Sequence, residues 1–154
     1  MSRDDTISAE YGRICKLLRL REVTIDIYQY EEDAPPSQKT PSGTSRCNSQ
    51  SGYRTDRKVI ALPQTDDGPI ELPEFPPGDW HKLSWPIWRI ELWHEVIHQL
   101  SDHLGVLDRK EPGRVRDDGS RSTEGHGKGW WMAIQYAAEC LAVSPDTLDH
   151  LLDR

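Results

Sequence analysis

The spacing of apolar residues predicts a helix near the beginning of the chain and a strand directly after it. Over residues 7–20 the apolar positions recur at three- and four-residue intervals, which is the period of one helix face. Thr6 or Ser8 is suited to cap the first turn of this helix. Residues 22–30 alternate apolar and polar side chains and are rich in β-branched and aromatic residues, so they predict a strand.

The next part of the chain has few apolar positions, and we expect only short strands there. Residues 31–55 are rich in Pro, Ser, Gly and Thr and predict a long flexible loop. The apolar run 58–63 predicts a strand. After a turn at residues 65–68, residues 69–73 are the candidate hairpin partner of that strand. Residues 73–84 are rich in proline and predict irregular structure.

The most apolar segment of the chain has the pattern of a long helix. Ser84 as the N-cap and Pro86 in the first turn predict where it begins. Gly105 predicts its end, because glycine readily adopts the left-handed conformation that terminates helices. We therefore expect a helix over residues 85–104, followed by a second long flexible loop over the polar residues 105–125.

Two more helices are predicted after this loop, over residues 129–143 and 144–152. The elements together predict the α+β class and a single domain over residues 1–154. We expect the N-terminal helix, a small and mostly antiparallel sheet built from residues 22–72, and the long apolar helix packed on that sheet.

Composition and charge exclude several classes of protein. The chain has 154 residues, 35% of them hydrophobic, and a net charge of −7, which is not the electrostatic footprint of a nucleic-acid-binding protein. No apolar run is long enough to span a membrane, and the first residues lack the apolar core of a signal peptide. The three cysteines form no CxxC pair, so we expect no disulfides. Together these features predict a soluble, cytoplasmic protein. The sequence does not indicate an oligomeric state.

The segment HEVIH within the long helix carries the candidate chemistry. His94 and His98 are four residues apart, so on a helix they lie on one face and can hold a single metal ion. Glu95 is rotated about 100° from His94, beside the two imidazoles, where a general base can take a proton from a water molecule. This is the HExxH pattern of zinc peptidases, although the ligands alone do not distinguish zinc from cobalt or manganese.

A catalytic zinc ion needs a third protein ligand, and His126 is the favoured candidate. It lies between two glycines at the start of a predicted helix, where the backbone can approach closely and aim the side chain. A carboxylate is the alternative, supplied by Glu124 or Glu139. The remaining histidines have no such context: His81, His103 and His150.

The segments HEVIH and HGKGWWM, taken together, resemble the SprT-like zinc metallopeptidases, a family related to the DNA–protein-crosslink protease Spartan. The resemblance covers about residues 85–140. It implies a minimal zincin-like fold with His94, His98 and His126 as Zn²⁺ ligands and Glu95 as the catalytic glutamate. The zinc ribbon that is common in this family is missing, because no cysteine pair is present.

The expected function is zinc-dependent hydrolysis of peptide bonds, with a protein or peptide as the substrate. The alternative is a zinc-containing module that binds protein or DNA without proteolytic activity. A basic stretch over residues 109–128 is a candidate for DNA contact, but acidic residues interrupt it and a solvated loop is the favoured interpretation. The loops 31–55 and 105–125 are candidates to cover a substrate cleft.

Several supporting residues are also predicted around the motif. Glu91 and Asp102 are placed to accept the second N–H of a ligand imidazole, and ordinary exposed helix acids are the alternative interpretation. Tyr136 and Tyr53 are candidates to hydrogen-bond an oxyanion, with core or loop packing as the alternative. Six tryptophans lie close to the two motifs, and we expect them to pack the motif helix against the helix after His126.

Overall fold

The computed structural model of the chain describes residues 2–28, 52–54, 58–63, 70–76, 85–106, 112–123 and 125–153. The helices are α1 (Arg3–Leu18), α2 (Ile87–His103), α3 (Lys128–Leu141) and α4 (Pro145–Leu152). The strands are β1 (Thr24–Tyr28), β2 (Gly52–Arg54) and β3 (Val59–Pro63). These helices and one small sheet confirm the predicted α+β class. None of the described helices is long and apolar enough to cross a membrane.

The sheet is mixed, and the prediction of a mostly antiparallel sheet is wrong. β3 lies in the centre, with β1 parallel to it on one side and β2 antiparallel on the other. A parallel pair needs a connection of about a dozen residues or more, and residues 29–58 lie between β1 and β3. The strands expected at 22–30 and 58–63 are confirmed within two residues.

Two predictions for the chain around the sheet also need correction. Gly52–Arg54 forms the edge strand β2, although it lies in the predicted loop 31–55. Three residues are too few to show an alternating pattern. Residues 70–73 do not form the expected hairpin partner of β3; the Ile70 carbonyl instead accepts a 2.8 Å hydrogen bond from the Thr6 hydroxyl on α1. The turn predicted at 65–68 lies outside the described residues.

The first helix begins earlier than predicted. Ser2 is its N-cap, and the Ser2 hydroxyl accepts a 3.2 Å hydrogen bond from the Asp5 backbone N–H. The N-cap is therefore neither Thr6 nor Ser8. The first turn is polar and carries acidic side chains that suit the positive end of the helix dipole, so the apolar period alone could not mark it.

The motif helix α2 begins after Pro86, so Ser84 is not its N-cap. The Pro86 carbonyl accepts the first backbone hydrogen bonds, from Arg89 at 3.1 Å and Ile90 at 3.2 Å. Gly105 follows the helix with φ +80°, which confirms the predicted end. α3 and α4 lie within two residues of their predicted limits, and α4 has the expected Ser–Pro start.

α2 lies at the centre of the hydrophobic core. Its residues Leu92, Trp93, Val96 and Ile97 are fully buried, and they join one cluster with residues of α1, β3, α3 and α4. Each such side chain contributes roughly 1.5–3 kcal/mol on burial. The helix that carries HEVIH is therefore held from several sides, which limits how far its histidines can move.

The described part of the predicted loop 105–125 forms a hairpin, which we call hairpin 112–123. Val115 and Arg121 pair as an antiparallel bridge, and Gly119 makes the turn with φ +86°. Gly113 approaches Ser122 so closely that there is no space for a Cβ atom. The expectation of a solvated basic loop is wrong for Arg116, which is only 8% exposed.

Candidate metal centre

Three histidines from two parts of the chain meet at one place. The possible ligand atoms of His94, His98 and His126 all lie within 4.8 Å of one another. His98 Nε2 and His126 Nε2 are 3.3 Å apart. His94 and His98 are half-buried and His126 is buried. The three histidines lie close enough together to bind a metal ion.

The backbone conformation and hydrogen bonds around His126 hold this residue next to α2. Gly125 has φ +86°, a backbone conformation that residues other than glycine rarely adopt. This glycine makes the turn before His126. The His126 N–H donates to the Thr123 carbonyl at 2.9 Å, and the Ser122 hydroxyl donates to the His126 carbonyl at 2.9 Å. Both backbone groups of His126 are thus held by the end of hairpin 112–123.

Two of the three imidazoles have their tautomer set by neighbouring oxygens. His94 Nδ1 lies 2.6 Å from the Leu152 carbonyl oxygen, which can only accept, so Nδ1 carries the hydrogen. His126 Nδ1 likewise hydrogen-bonds the Asp153 carboxylate. In both rings the lone pair is therefore on Nε2, which is the arrangement that a metal ligand requires.

The charge states of the site also suit a cation. Burial, together with the neighbouring imidazoles of His94 and His126, holds the pKa of His98 well below its usual range, so this ring is neutral. Burial would raise the pKa of Asp153, but hydrogen bonds from His126, the Thr123 N–H and Arg116 outweigh it and hold that pKa below its usual range. The site thus combines a neutral His98 imidazole with the ionised carboxylate of Asp153, which hydrogen-bonds His126.

Trp130 packs against the imidazole cluster. Its ring stacks on His126 with centroids 3.8 Å apart and an angle of 7°, and it lies 5.0 Å from His94 and 5.1 Å from His98. The Trp130 Nε1–H donates to Asp149 at 2.8 Å. The prediction that tryptophans pack the motif helix against the helix after His126 is confirmed for Trp130.

The spacing of the imidazole nitrogens fits a tetrahedral ion. Two imidazole nitrogens bound to zinc at about 2.0–2.1 Å in tetrahedral geometry are roughly 3.3–3.4 Å apart. The separation of His98 Nε2 and His126 Nε2 is 3.3 Å. Three imidazoles are a donor set suited to zinc and to several other divalent transition metals. The residues present therefore fit such an ion, and the cluster in the described part of the chain supplies three of its four ligands.

Two oxygens that hydrogen-bond ligand imidazoles come from the end of α4 and from the residue that follows it, and neither was predicted. They are the Leu152 carbonyl and the Asp153 carboxylate. Asp102, one of the predicted partners, accepts hydrogen bonds from Tyr53 at 2.7 Å and Lys58 at 2.5 Å. No sequence pattern marks a backbone carbonyl. Asp149 and Asp153, by contrast, are four residues apart, a spacing that would predict two carboxylates on the same helix face.

The remaining predicted site residues are placed as follows. Glu95 follows His94 on α2 and is only 2% exposed, and Glu91 is half-buried on the same helix. The Tyr136 hydroxyl donates to the Leu18 carbonyl at 3.3 Å, and an oxyanion would have to compete with that carbonyl for its hydrogen. Glu139 is exposed on α3 and does not belong to the histidine cluster. Glu124 lies outside the described residues.

Two clefts lie near this region. One, of about 560 Å³, lies between the start of β1 and the last turn of α2, and its described lining includes Tyr53 and Asp102 but none of the three histidines. The other, of about 430 Å³, is lined by Gly127, which directly follows His126, and by Trp131. The first cleft is also lined by Gln99, which directly follows His98, so each cleft adjoins a candidate ligand in the chain.

Comparison with known proteins yields no relative for this chain. No protein family, no curated protein and no solved structure matches it.

Proposed function

We propose that this chain is a zinc-dependent metallopeptidase that hydrolyses peptide bonds in protein or peptide substrates. The observation that supports this most is the convergence of three imidazoles, two of which have their Nδ1 hydrogen committed to a neighbouring oxygen. Three protein ligands leave one position of a tetrahedral ion to water or substrate, which is typical of catalytic sites. Bound zinc would supply Lewis acidity that polarises a carbonyl group and lowers the pKa of water.

Glu95 is the residue that we assign as the general base. It follows His94 on α2, so its side chain leaves the helix about 100° away from the imidazole and lies beside the ligand face. The side chain is only 2% exposed, so its carboxylate is shielded from bulk solvent. In the proposed reaction Glu95 accepts a proton from the attacking water and passes it to the departing amine.

The second candidate function is a binding module in which the metal is structural. Structural zinc sites almost always have four protein ligands. Within the described part of the chain, the cluster has three. A glutamate directly after the first ligand also has no role in such a module, whereas hydrolysis requires one. These two points favour the peptidase.

The proposed function is tested by metal content and hydrolysis measured on the same preparations. We expect about one zinc per chain in the wild-type protein and in Glu95→Gln, and much less in His126→Ala. His103→Ala is the matched control, because His103 is an exposed histidine of α2 outside the cluster. The wild-type protein and this control should hydrolyse an unfolded protein substrate at similar rates. Glu95→Gln should be slower by about 10²–10⁴-fold.

Each other result has a definite meaning. Zinc bound by the wild-type protein, without hydrolysis of a broad set of unfolded proteins and peptides, would replace the peptidase by the binding module. The absence of zinc from wild-type protein purified without chelator would refute both. Hydrolysis with and without added DNA separates a function like that of Spartan from a peptidase that does not need DNA.

A further inference from the structure

A buried group of charges lies behind the third histidine, and the proposed reaction does not use it. It consists of Arg116 from hairpin 112–123, Asp149 from α4 and Asp153 from the chain after α4, and we call it the Arg116 clamp. Arg116 is 8% exposed and Asp149 is fully buried. Burial of such charges is costly, and replacing them by apolar side chains is often neutral or stabilising, so stability alone is a weak explanation for the clamp.

The first connection from the clamp reaches the edge of the His126 ring. Arg116 Nη2 donates to Asp153 Oδ2, and Asp153 Oδ1 accepts the hydrogen of His126 Nδ1. The Thr123 backbone N–H lies 3.1 Å and 3.2 Å from the two carboxylate oxygens. The carboxylate is therefore held by three donors, and its position fixes the direction in which His126 Nε2 points.

The second connection reaches the face of the same ring. Arg116 Nε donates to Asp149 Oδ2 at 2.8 Å, and Asp149 Oδ1 accepts the Trp130 Nε1–H at 2.8 Å. Trp130 in turn stacks on His126 at 3.8 Å. The guanidinium group of Arg116 thus acts on the His126 imidazole through two carboxylates. One carboxylate holds the edge of the ring, and the other, through Trp130, holds its face.

We propose that Arg116, acting through Asp153 and Asp149, is a positioning residue that holds His126 in the orientation of a metal ligand. Metal binding and the docking of hairpin 112–123 on α4 are then coupled, and the coupling acts in both directions. The inference rests on the proposed function only in that the three histidines bind a metal ion. It does not require that the protein hydrolyses peptides.

Zinc affinity, measured by competition with a chromophoric chelator, tests the clamp directly. Arg116→Met removes both connections and should weaken zinc binding by about 10–100-fold, the usual effect of losing a group that orients a ligand. Arg121→Met is the matched control, because Arg121 lies on the same hairpin and donates to the Gly113 carbonyl at 2.9 Å, without a contact to either acid of the clamp. This control should change the affinity by less than about twofold.

A milder variant keeps the test valid if Arg116→Met does not fold. Asp153→Asn retains the size of the side chain and an oxygen that accepts from His126, but it loses the charge that Arg116 holds. Its zinc affinity should fall by about tenfold. In the metal-free protein, nitrogen NMR of the imidazoles should show His126 as the Nδ1–H tautomer in the wild type and as a mixture in Asp153→Asn.

Hydrogen exchange measures the reverse direction of the coupling. Zinc should slow exchange of the Arg116 and Ser122 amides, which donate to Ser120 and Arg114 within the hairpin. This slowing should disappear in Asp153→Asn. Unchanged zinc affinity, tautomer and exchange in the folded variants would overturn the clamp as a positioning device.

The clamp and the proposed function fail in different ways. If zinc affinity falls as expected but the wild-type protein hydrolyses nothing, the clamp stands and the peptidase does not. If the wild-type protein binds no zinc, the proposed function falls, and the role of the clamp is decided by the tautomer of His126 in the metal-free protein.

Discussion

Gly129 lies in the first turn of α3, three residues after His126, and it packs against the end of α2. A Cβ atom added there would be 2.5 Å from Ser101 Oγ, 3.0 Å from the Val106 carbonyl carbon and closer still to the Val106 carbonyl oxygen. Ordinary contacts begin at 3.4 Å. Gly129→Ala must therefore separate α3 from the end of α2 by roughly 1 Å, since a close-packed interior has no space to absorb the methyl group.

Two opposing effects decide the result of Gly129→Ala. Alanine is favoured over glycine inside a helix by about 1 kcal/mol. Overpacking typically costs about 1–3 kcal/mol, and we expect the upper part of that range because the main obstacle is backbone. The free energy of unfolding should thus fall by about 1–2 kcal/mol. His126 moves with α3, and ligand distances tolerate only about 0.2 Å, so zinc affinity should fall by about tenfold or more.

Urea unfolding and competition with a zinc chelator measure the two effects. Gly12→Ala is the matched control, since Gly12 lies inside α1 and the nearest atom to its added Cβ, Glu22 Oε1, is 3.8 Å away. The control should stabilise the protein by about 0.5–1 kcal/mol and leave zinc affinity unchanged. If Gly129→Ala behaves like Gly12→Ala in both assays, the close approach of α3 to α2 is not a feature of the folded protein.

Three further predictions concern parts of the fold away from the histidines. Tyr11→Phe removes a buried hydroxyl that donates to Gln99 at 2.8 Å, and urea titration should show a loss of about 1–3 kcal/mol; no loss would refute this bond. Arg89→Met leaves the buried carboxylate of Glu10 with one other arginine, and the free energy of unfolding should fall by about 3 kcal/mol. The double variant Arg89→Met/Glu10→Leu should recover most of this loss. Equal losses in the single and double variants would contradict the ion pair. Burial raises the pKa of the Cys15 thiol to about 11. Because thiolate is then scarce, its alkylation at about pH 8 should be about 100-fold slower in native than in urea-unfolded protein, measured by mass spectrometry; equal rates would refute this.

The elements that the sequence predicted well are those that depend on local spacing. The pairing of His94 and His98 on one face follows from the helical period, and the position of α2 follows from its apolar pattern and Gly105. The edge strand β2 was not predicted, because three residues carry no period and a strand at that position depends on its partner β3. The polar first turn of α1 was missed because the apolar period does not reach it.

His126 is an intermediate case between local and tertiary information. The glycines around it marked a place where the backbone can approach another element closely, and this made it the favoured third ligand. That it lies beside His98, 28 residues earlier, is a property of how α3 packs on α2. The two tryptophans after it indicated packing, but not that Trp130 would stack on the imidazole itself.

The sequence by itself determined that two imidazoles and a glutamate share one helix, since i and i+4 positions meet on any helix whatever surrounds it. Only the tertiary structure decided what holds these imidazoles. The Leu152 carbonyl is 58 residues from His94, Asp153 is 27 residues from His126, and Asp149 is 33 residues from Arg116. No short-range period encodes such distances. They arise because the apolar faces of α2, α3 and α4 pack into one core, and that packing brings α4 and the residue that follows it to the histidines.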